Sequence, residues 1–147
     1  MRTLSLLTIC LLVLSACKKE DLSGKLRNET SEKMMGKWMV QRIVYDVSLN
    51  QVPNNDLYKE LKLLNSKLEV LGSSRDCFDF QANEMVQIKT SESAKLKSYN
   101  ILSPSQVMIG QEGWYVEKLT ATELELKLVR DAVDFTRVSR MYLSRSL

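Results

Sequence analysis

Few side chains in this chain could do chemistry, because the sequence contains no histidine. Serine–histidine and cysteine–histidine nucleophilic sites and histidine-containing zinc sites are therefore excluded. Glu123 and Glu125 share a face, but they alternate with an apolar row. That favours a solvated strand face, since a useful base needs burial to raise its pKa. Asp131 and Asp134 are typical of a turn rather than of a metal site. We expect no enzyme, no cofactor and no metal.

Cys17 stands where a modification is expected. A positive start at Met1-Arg2-Thr3 precedes an apolar run over Leu4–Leu14, and Ser15-Ala16 are the small residues that a signal peptidase requires. The apolar run is about half as long as the roughly 20 residues of a membrane-spanning helix. We therefore interpret residues 1–16 as a signal peptide that is removed. In the alternative, the cut after Ala16 is an ordinary one and Cys17 is an incidental thiol.

The four residues Leu14-Ser15-Ala16-Cys17 resemble the consensus of bacterial lipoproteins. The resemblance implies that Cys17 carries diacylglycerol and that its freed amine is acylated, for example with palmitate. Several acyl chains, each methylene contributing ~0.8 kcal/mol, would hold the protein on a membrane. Lys18-Lys19-Glu20-Asp21 is similar to the export signal of surface lipoproteins in Bacteroidota, but a solvated spacer explains it equally well. We expect the outer membrane, at its periplasmic face or at the cell surface.

The rest of the composition is informative mainly by what it excludes. The full chain has 21 basic and 18 acidic side chains, and they are interspersed, so nothing favours nucleic acid as a partner. Cys10 leaves with the signal and Cys17 is used by the lipid, which leaves Cys77 without a disulfide partner. Because Cys77 adjoins Phe78, we expect a buried apolar residue rather than a nucleophile.

The remaining chain divides into a tether and one domain. Residues 17–33 are mostly charged and small polar residues, with Leu22 and Leu26 for packing, so we predict a flexible tether. Residues 34–147 are predicted to form a single domain large enough to bury a core. In its first strand, Trp38 and Val40 are expected to share a face with Val44, opposite Ile43 and Tyr45.

Short runs of alternating or β-branched residues dominate this domain. The clearest alternation places Leu124, Leu126 and Leu128 inward. The last run, Phe135 to Ser144, is ambiguous between a strand and a helix. We predict a mainly β fold, an eight-stranded antiparallel up-and-down barrel. The predicted strands begin at Lys37, Cys77, Met85, Lys95, Gln106, Gly113, Glu123 and Phe135.

One amphipathic helix is predicted between the first and second strands. Leucines recur there at spacings of four and three, and Gly72 could end the helix. We expect this face to pack on the chain's own sheet or to close the barrel as a lid, and a partner helix is the alternative. The leucines are Leu57, Leu61, Leu64, Leu68 and Leu71.

Gly36-Lys37-Trp38, followed by one long connection and a meander, resembles the lipocalin family. The resemblance implies that Trp38 packs at the closed end of the barrel beneath an arginine, Arg140 or Arg145. The Thr-Asp-Tyr motif of that family is absent, since residues 119–124 read Leu-Thr-Ala-Thr-Glu-Leu. The chain is therefore more similar to the lipocalin-like domains of Bacteroidota lipoproteins.

Two functions fit these observations. In the first, a lipid-anchored barrel binds a small apolar or amphipathic ligand. In the second, the barrel is filled by its own side chains and docks onto an envelope protein as a non-catalytic interaction module. The aromatic residues expected to line a ligand site are Phe78, Phe80, Tyr99, Trp114, Tyr115 and Tyr142.

Overall fold

The computed structural model describes residues 22–49, 68–133 and 135–146. Residues 22–34 are helical, and we call this helix α1. Nine strands follow: β1 (Gly36–Leu49), β2 (Leu68–Leu71), β3 (Cys77–Phe80), β4 (Met85–Lys89), β5 (Ala94–Ser103), β6 (Gln106–Ile109), β7 (Glu112–Leu119), β8 (Glu123–Asp131) and β9 (Phe135–Arg145).

Eight of these strands form a closed antiparallel barrel. The order runs β1-β3-β4-β5-β6-β7-β8-β9, and β9 pairs back onto β1. The long β1 pairs with β9 along one edge. Its other edge pairs first with β3, over Gly36–Met39, and then with the additional strand β2, over Arg42–Tyr45. The predicted barrel is confirmed.

The predicted strands are confirmed to within one residue of their observed starts. Residues 135–145 form a strand, so the helical alternative for the last run is wrong. The alternation of Leu124, Leu126 and Leu128 places all three in the interior, where they are buried. A period of two in the apolar residues therefore outweighs the helix propensity of Leu, Glu and Lys in this segment.

Part of the predicted helix after β1 is wrong. Leu68 and Leu71 were assigned to that helix, but they belong to β2, which pairs antiparallel with β1. Gly72 ends no helix there, because its N–H donates to the carbonyl of Gln41 at 2.9 Å. A Cβ on Gly72 would lie 1.9 Å from the Val40 oxygen, so this approach of two backbones requires glycine. Residues 50–67, with Leu57, Leu61 and Leu64, lie outside the described residues.

The prediction of a flexible tether over residues 17–33 is wrong for residues 22–33, which are helical. Thr30 and Met34 of α1 are buried, and Met34 belongs to the core of the barrel. The Trp38 indole N–H donates to the Met34 carbonyl at 2.7 Å. The burial of Met34 among core residues from distant strands offsets the ordering cost that the local composition alone could not.

A β-bulge in β1 changes which side chains face inward. The register with β9 shifts between Val40 and Arg42. Trp38 and Val40 therefore face the core on one side of the bulge, whereas Ile43 and Tyr45 face the interior on the other side. The expectation that one uninterrupted alternation ran through β1 is wrong, because the extra residue of a bulge reverses the faces that follow it.

The hydrophobic core occupies the half of the barrel next to α1. Its largest fully buried side chains are Trp38, Phe80, Met34, Ile109, Leu124 and Leu126. Cys77 is a buried free cysteine, as predicted. The other half of the barrel is not filled in this way, and that half contains the candidate site.

Candidate functional site

The end of the barrel next to α1 is closed by Trp38 and Arg145. The guanidinium carbon of Arg145 lies 4.4 Å from the centroid of the Trp38 ring. The same guanidinium donates to the carbonyls of Lys33 at 2.6 Å, Met35 at 2.9 Å and Ala121 at 2.8 Å. Arg145 therefore satisfies carbonyls at the end of α1, which have no partner within the helix.

Of the two arginines considered for this position, Arg145 occupies it and Arg140 does not. Arg140 forms ion pairs with Asp46 at 2.9 Å and Glu117 at 3.3 Å. Gly36 has a φ of +106°, and a Cβ there would lie 3.1 Å from Nη1 of Arg145. Glycine at position 36 thus permits both the backbone conformation and the close approach of Arg145.

The other half of the barrel contains a cavity of about 730 Å³. Its volume lies within the range of small-molecule pockets, roughly 300–1,000 Å³. Most of its walls come from β1, β7, β8 and β9. The lining residues are Ile43, Tyr45, Val47, Leu68, Glu112, Trp114, Leu128, Arg130, Arg137, Ser139 and Met141. We call this space the barrel cavity.

The register of β1, β9 and β8 arranges the lining in three layers. Each layer contains one residue from each strand, paired directly across the sheet. The layer nearest the core is apolar, the middle layer is mixed, and the layer farthest from α1 has two arginines. In that order the layers are Ile43, Met141 and Leu126; Tyr45, Ser139 and Leu128; and Val47, Arg137 and Arg130.

The outermost layer, which we call the arginine layer, is unevenly paired. Arg130 forms an ion pair with Glu112, and Lys97 lies 3.9 Å from the same carboxylate. For Arg137 no ion pair is found among the described residues, and its Nε is a buried donor without a hydrogen-bond partner. The indole Nε1 of Trp114 is a second such donor. Both nitrogens are covered by neighbouring atoms, although the side chains of Arg137 and Trp114 line the barrel cavity.

Trp114 is the member of the predicted aromatic set that lines the barrel cavity. Phe78, Phe80 and Tyr99 are buried in the core instead. The Phe80 and Tyr99 rings meet edge to face with centroids 5.1 Å apart. The Tyr99 hydroxyl donates to the Gln81 carbonyl at 3.0 Å, and burial raises the pKa of this phenol. These three aromatic residues fill the closed half.

Tyr115 and Tyr142 lie on the outer surface of the barrel. The Lys127 Nζ is 5.9 Å from the Tyr115 ring centroid, and the Arg42 guanidinium is 4.2 Å from that of Tyr142. Neither ring lines the barrel cavity. Successive side chains of a strand point to opposite faces. Tyr115 and Tyr142 therefore point outward, because each follows an inward-facing residue, Trp114 or Met141.

Sequence reasoning missed the polar residues of the site, Arg130, Arg137 and Ser139. The signal that could have found Arg130 is the inward row of Leu124, Leu126 and Leu128, because the next residue at that spacing is Arg130. On β9, Arg137 and Ser139 likewise precede Met141 and Leu143 at a spacing of two. The alternation of side chains along each strand places these three polar residues inside the barrel in spite of their charge or polarity.

Other features of the described residues offer no second chemical centre. Glu123 and Glu125 both lie near Lys118, with the closer Nζ–oxygen distance 2.7 Å, on a solvated face. Asp131 accepts a hydrogen bond from the Thr136 hydroxyl at 2.7 Å. Within the described ranges there is no cluster of three metal-ligating side chains. Cys17 and Asp134 lie outside the described residues.

No helix in the described part of the chain is both long and apolar enough to cross a membrane. The chain matches no protein-family model, no curated protein and no solved structure. The resemblance to lipocalins therefore stays a prediction. The fold and site define an eight-stranded antiparallel barrel with an internal cavity, and the function must be argued from that cavity.

Proposed function

We propose that this protein is a lipid-anchored envelope lipoprotein whose lipocalin-like barrel binds a small apolar or amphipathic ligand. The observation that carries the proposal is the barrel cavity of about 730 Å³. Native interiors are close-packed, with few voids larger than a water molecule. A space of this size in a closed barrel is therefore the best candidate for a ligand site.

The lining of the barrel cavity supports a ligand that is mainly apolar. Ile43, Leu68, Leu128 and Met141 contribute apolar walls. The polar groups are few and lie mostly in the arginine layer, away from the core. Small-molecule sites typically combine an apolar wall with a few polar groups that orient the ligand.

The lipid anchor is proposed from Cys17 and the residues before it. Between Cys17 and the described helix stand only residues 18–21. Because α1 packs into the closed end of the barrel through Met34, the barrel would be joined to its anchor through α1. A soluble version of the protein must therefore keep α1 and begin at Lys18.

Native mass spectrometry of the chain from Lys18 to Leu147, purified without detergent, tests for a carried ligand. We expect a small molecule that remains bound in native spectra and is released on denaturation. Ser139→Phe would fill the middle layer and should abolish this mass. Ser98→Phe, at an exposed position on β5, is the matched control and should retain it. A wild-type protein that neither carries a ligand nor binds any added amphiphile would contradict the proposal.

Membrane fractionation tests the anchor. Cys17→Ala should move the protein from the membrane fraction to the soluble fraction, because the acyl chains would have no attachment point. The control is Cys77→Ala, which removes a buried core thiol and should leave the protein in the membrane fraction. If Cys17→Ala stays with the membrane, the lipoprotein assignment is wrong.

A second candidate is the interaction module that docks onto an envelope protein. It is favoured by β2, whose side chains are exposed and include Leu71 with 76% of its surface accessible. The barrel cavity weighs against the filled barrel that this alternative assumed. Crosslinking in whole cells from Leu71 and, as a control, from exposed Leu102 on β5 would test it: specific crosslinks from Leu71 alone would favour docking through β2.

A further inference from the structure

We propose that the barrel cavity recognises the anionic head of an amphipathic ligand, with the guanidinium of Arg137 as its charged partner. This inference rests on the proposed ligand-binding function and specifies the chemical class of the ligand. The head is a carboxylate or a phosphate, since both accept hydrogen bonds from a guanidinium in the same geometry.

Among the described residues, Arg137 has no favourable partner on the two strands beside it. Its direct cross-strand partners are Val47 on β1 and Arg130 on β8, so one neighbour is apolar and the other has the same charge. Like charges directly opposite each other in a sheet are destabilising. The buried Nε of Arg137 is also without a hydrogen-bond partner in the described part of the chain. An anion in the cavity would offset the repulsion between the two arginines.

Among the described residues, the positive charges that line the barrel cavity outnumber the negative ones. The charged lining residues among them are two arginines, Arg130 and Arg137, and one carboxylate, Glu112. Glu112 already pairs with Arg130 and lies near Lys97. Glu112 therefore has two cationic neighbours before Arg137 is considered. The arginine layer has a positive charge to spare, and a ligand with a negative head complements it.

Trp114 lines the same cavity as Arg137 and is only 8% exposed. Its indole nitrogen can only donate and has no acceptor among the described residues, but neighbouring atoms cover this nitrogen. The positive charge that a ligand head would meet therefore comes from Arg137. An alcohol could occupy the cavity but would leave the Arg137 charge uncompensated.

The layers also limit the apolar part of the ligand. From Ile43 to Val47 the cavity spans five residues of β1, and the four steps between them correspond to roughly 13 Å along a strand. The innermost layer, Ile43, Met141 and the buried Leu126, forms the apolar floor. This depth suits one short or folded chain. We therefore infer a single-chain amphiphile with its head in the arginine layer and its body on the apolar floor.

Calorimetric titration of the full-length protein in nonionic detergent tests the inference, with decanoate, decyl phosphate and decanol as matched probes. At least one of the two anions should bind about tenfold more tightly than decanol, because a charge-assisted hydrogen bond is gained. The tighter of the two anions identifies the head as carboxylate or phosphate.

Variants separate recognition by Arg137 from general folding. Arg137→Gln should weaken binding of the anion about tenfold or more and leave decanol affinity within about twofold. Arg137→Lys should restore part of the lost affinity. Arg75→Gln removes the same charge at an exposed turn and should change neither affinity. The thermal midpoint of the free Arg137→Gln protein should not fall, because the substitution removes a like-charge pair.

The possible failures are distinguishable. If decanol binds as tightly as the anions, or if Arg137→Gln binds the anions like the wild type, the anionic head is wrong while the proposed ligand binding stands. If none of the three probes binds and no ligand is carried, both proposals fail. Should Arg137→Gln not fold, the preference of the wild type for anions over decanol and the Arg137→Lys variant still decide the question.

Discussion

Arg145 and Arg137 lie on the same strand and face the same side of it, eight residues apart, yet their surroundings are opposite. Arg145 stacks on Trp38 and donates to three backbone carbonyls. Arg137 lines the barrel cavity with an unused donor. In the first case the charge is used by the fold. In the second case, no described residue forms an ion pair with the charge.

The two halves of the barrel differ in the same way. The closed half is filled by Trp38, Phe80 and the residues around them, and α1 covers it. The cavity half has the same alternation of side chains, but its middle layer includes the small polar residue Ser139. Packing stabilises one half, and the space in the other half is the candidate function. Substitutions matched between the halves can test this division.

The largest effect is expected at Trp38, which has no exposed surface. Trp38→Ala should reduce the free energy of unfolding by about 3–5 kcal/mol, because a large cavity would open in the core. Tyr45→Ala in the cavity half should reduce it by about 1 kcal/mol or less, since the space beside that ring is already empty. Urea unfolding measures both. Equal losses would end the distinction between a packed and a hollow half.

Met34 tests whether α1 belongs to the domain. It is fully buried, so Met34→Ala should reduce the free energy of unfolding by about 2–4 kcal/mol. The control is Leu26→Ala on the same helix, whose side chain is exposed and whose loss should cost about 0.5 kcal/mol or less. If Met34→Ala is as mild as Leu26→Ala in urea unfolding, α1 contributes no more than a tether.

The two arginines should respond in opposite directions. Arg145→Gln should reduce the free energy of unfolding by about 1–3 kcal/mol, because it removes the contact with Trp38 and leaves carbonyls of α1 without a partner. Arg137→Gln should leave it unchanged or raise it slightly. Thermal and urea unfolding of the ligand-free proteins provide the comparison. A loss of stability in Arg137→Gln equal to that in Arg145→Gln would make Arg137 a structural residue.

The smallest effect concerns Tyr99 in the closed half. Burial raises the pKa of its phenol above 10.0, so the folded state favours the neutral form. Its contribution is complete below pH 10 and is lost as the pH rises through the higher pKa of the folded protein. Tyr99→Phe should cost about 0.5–1.5 kcal/mol at neutral pH, since the hydrogen bond to Gln81 is lost.

Unfolding curves measured from neutral to alkaline pH test the titration of Tyr99. Stability should fall less steeply in Tyr99→Phe than in the wild type above pH 10, because the substituted ring cannot ionise. Identical slopes in wild type and Tyr99→Phe would show that other groups control alkaline unfolding.

The barrel was predictable from the sequence because its signals are local. Strand after strand repeats an apolar residue at every second position, short turns separate the strands, and such a meander closes most simply on itself. The contact of Trp38 with an arginine of the last strand also followed from the resemblance to lipocalins. The aromatic residues were a poor guide to the cavity. Of the six that were named, only Trp114 lines it, and the other five lie in the core or on the outer surface.

The amino-acid sequence by itself therefore determined the alternation of side chains along the strands. Three other features depended on contacts between distant segments. Residues 22–33 are helical because Met34 and Thr30 find buried positions against the barrel. The bulge near Gln41 changes which side chains of β1 face the interior, and no local sequence pattern predicts it. Arg130 and Arg137 became a pair inside the barrel only when β8 and β9 paired in register. A strand's period says which residues share a face, but only the closed barrel decides which face is inside and how much of it is filled.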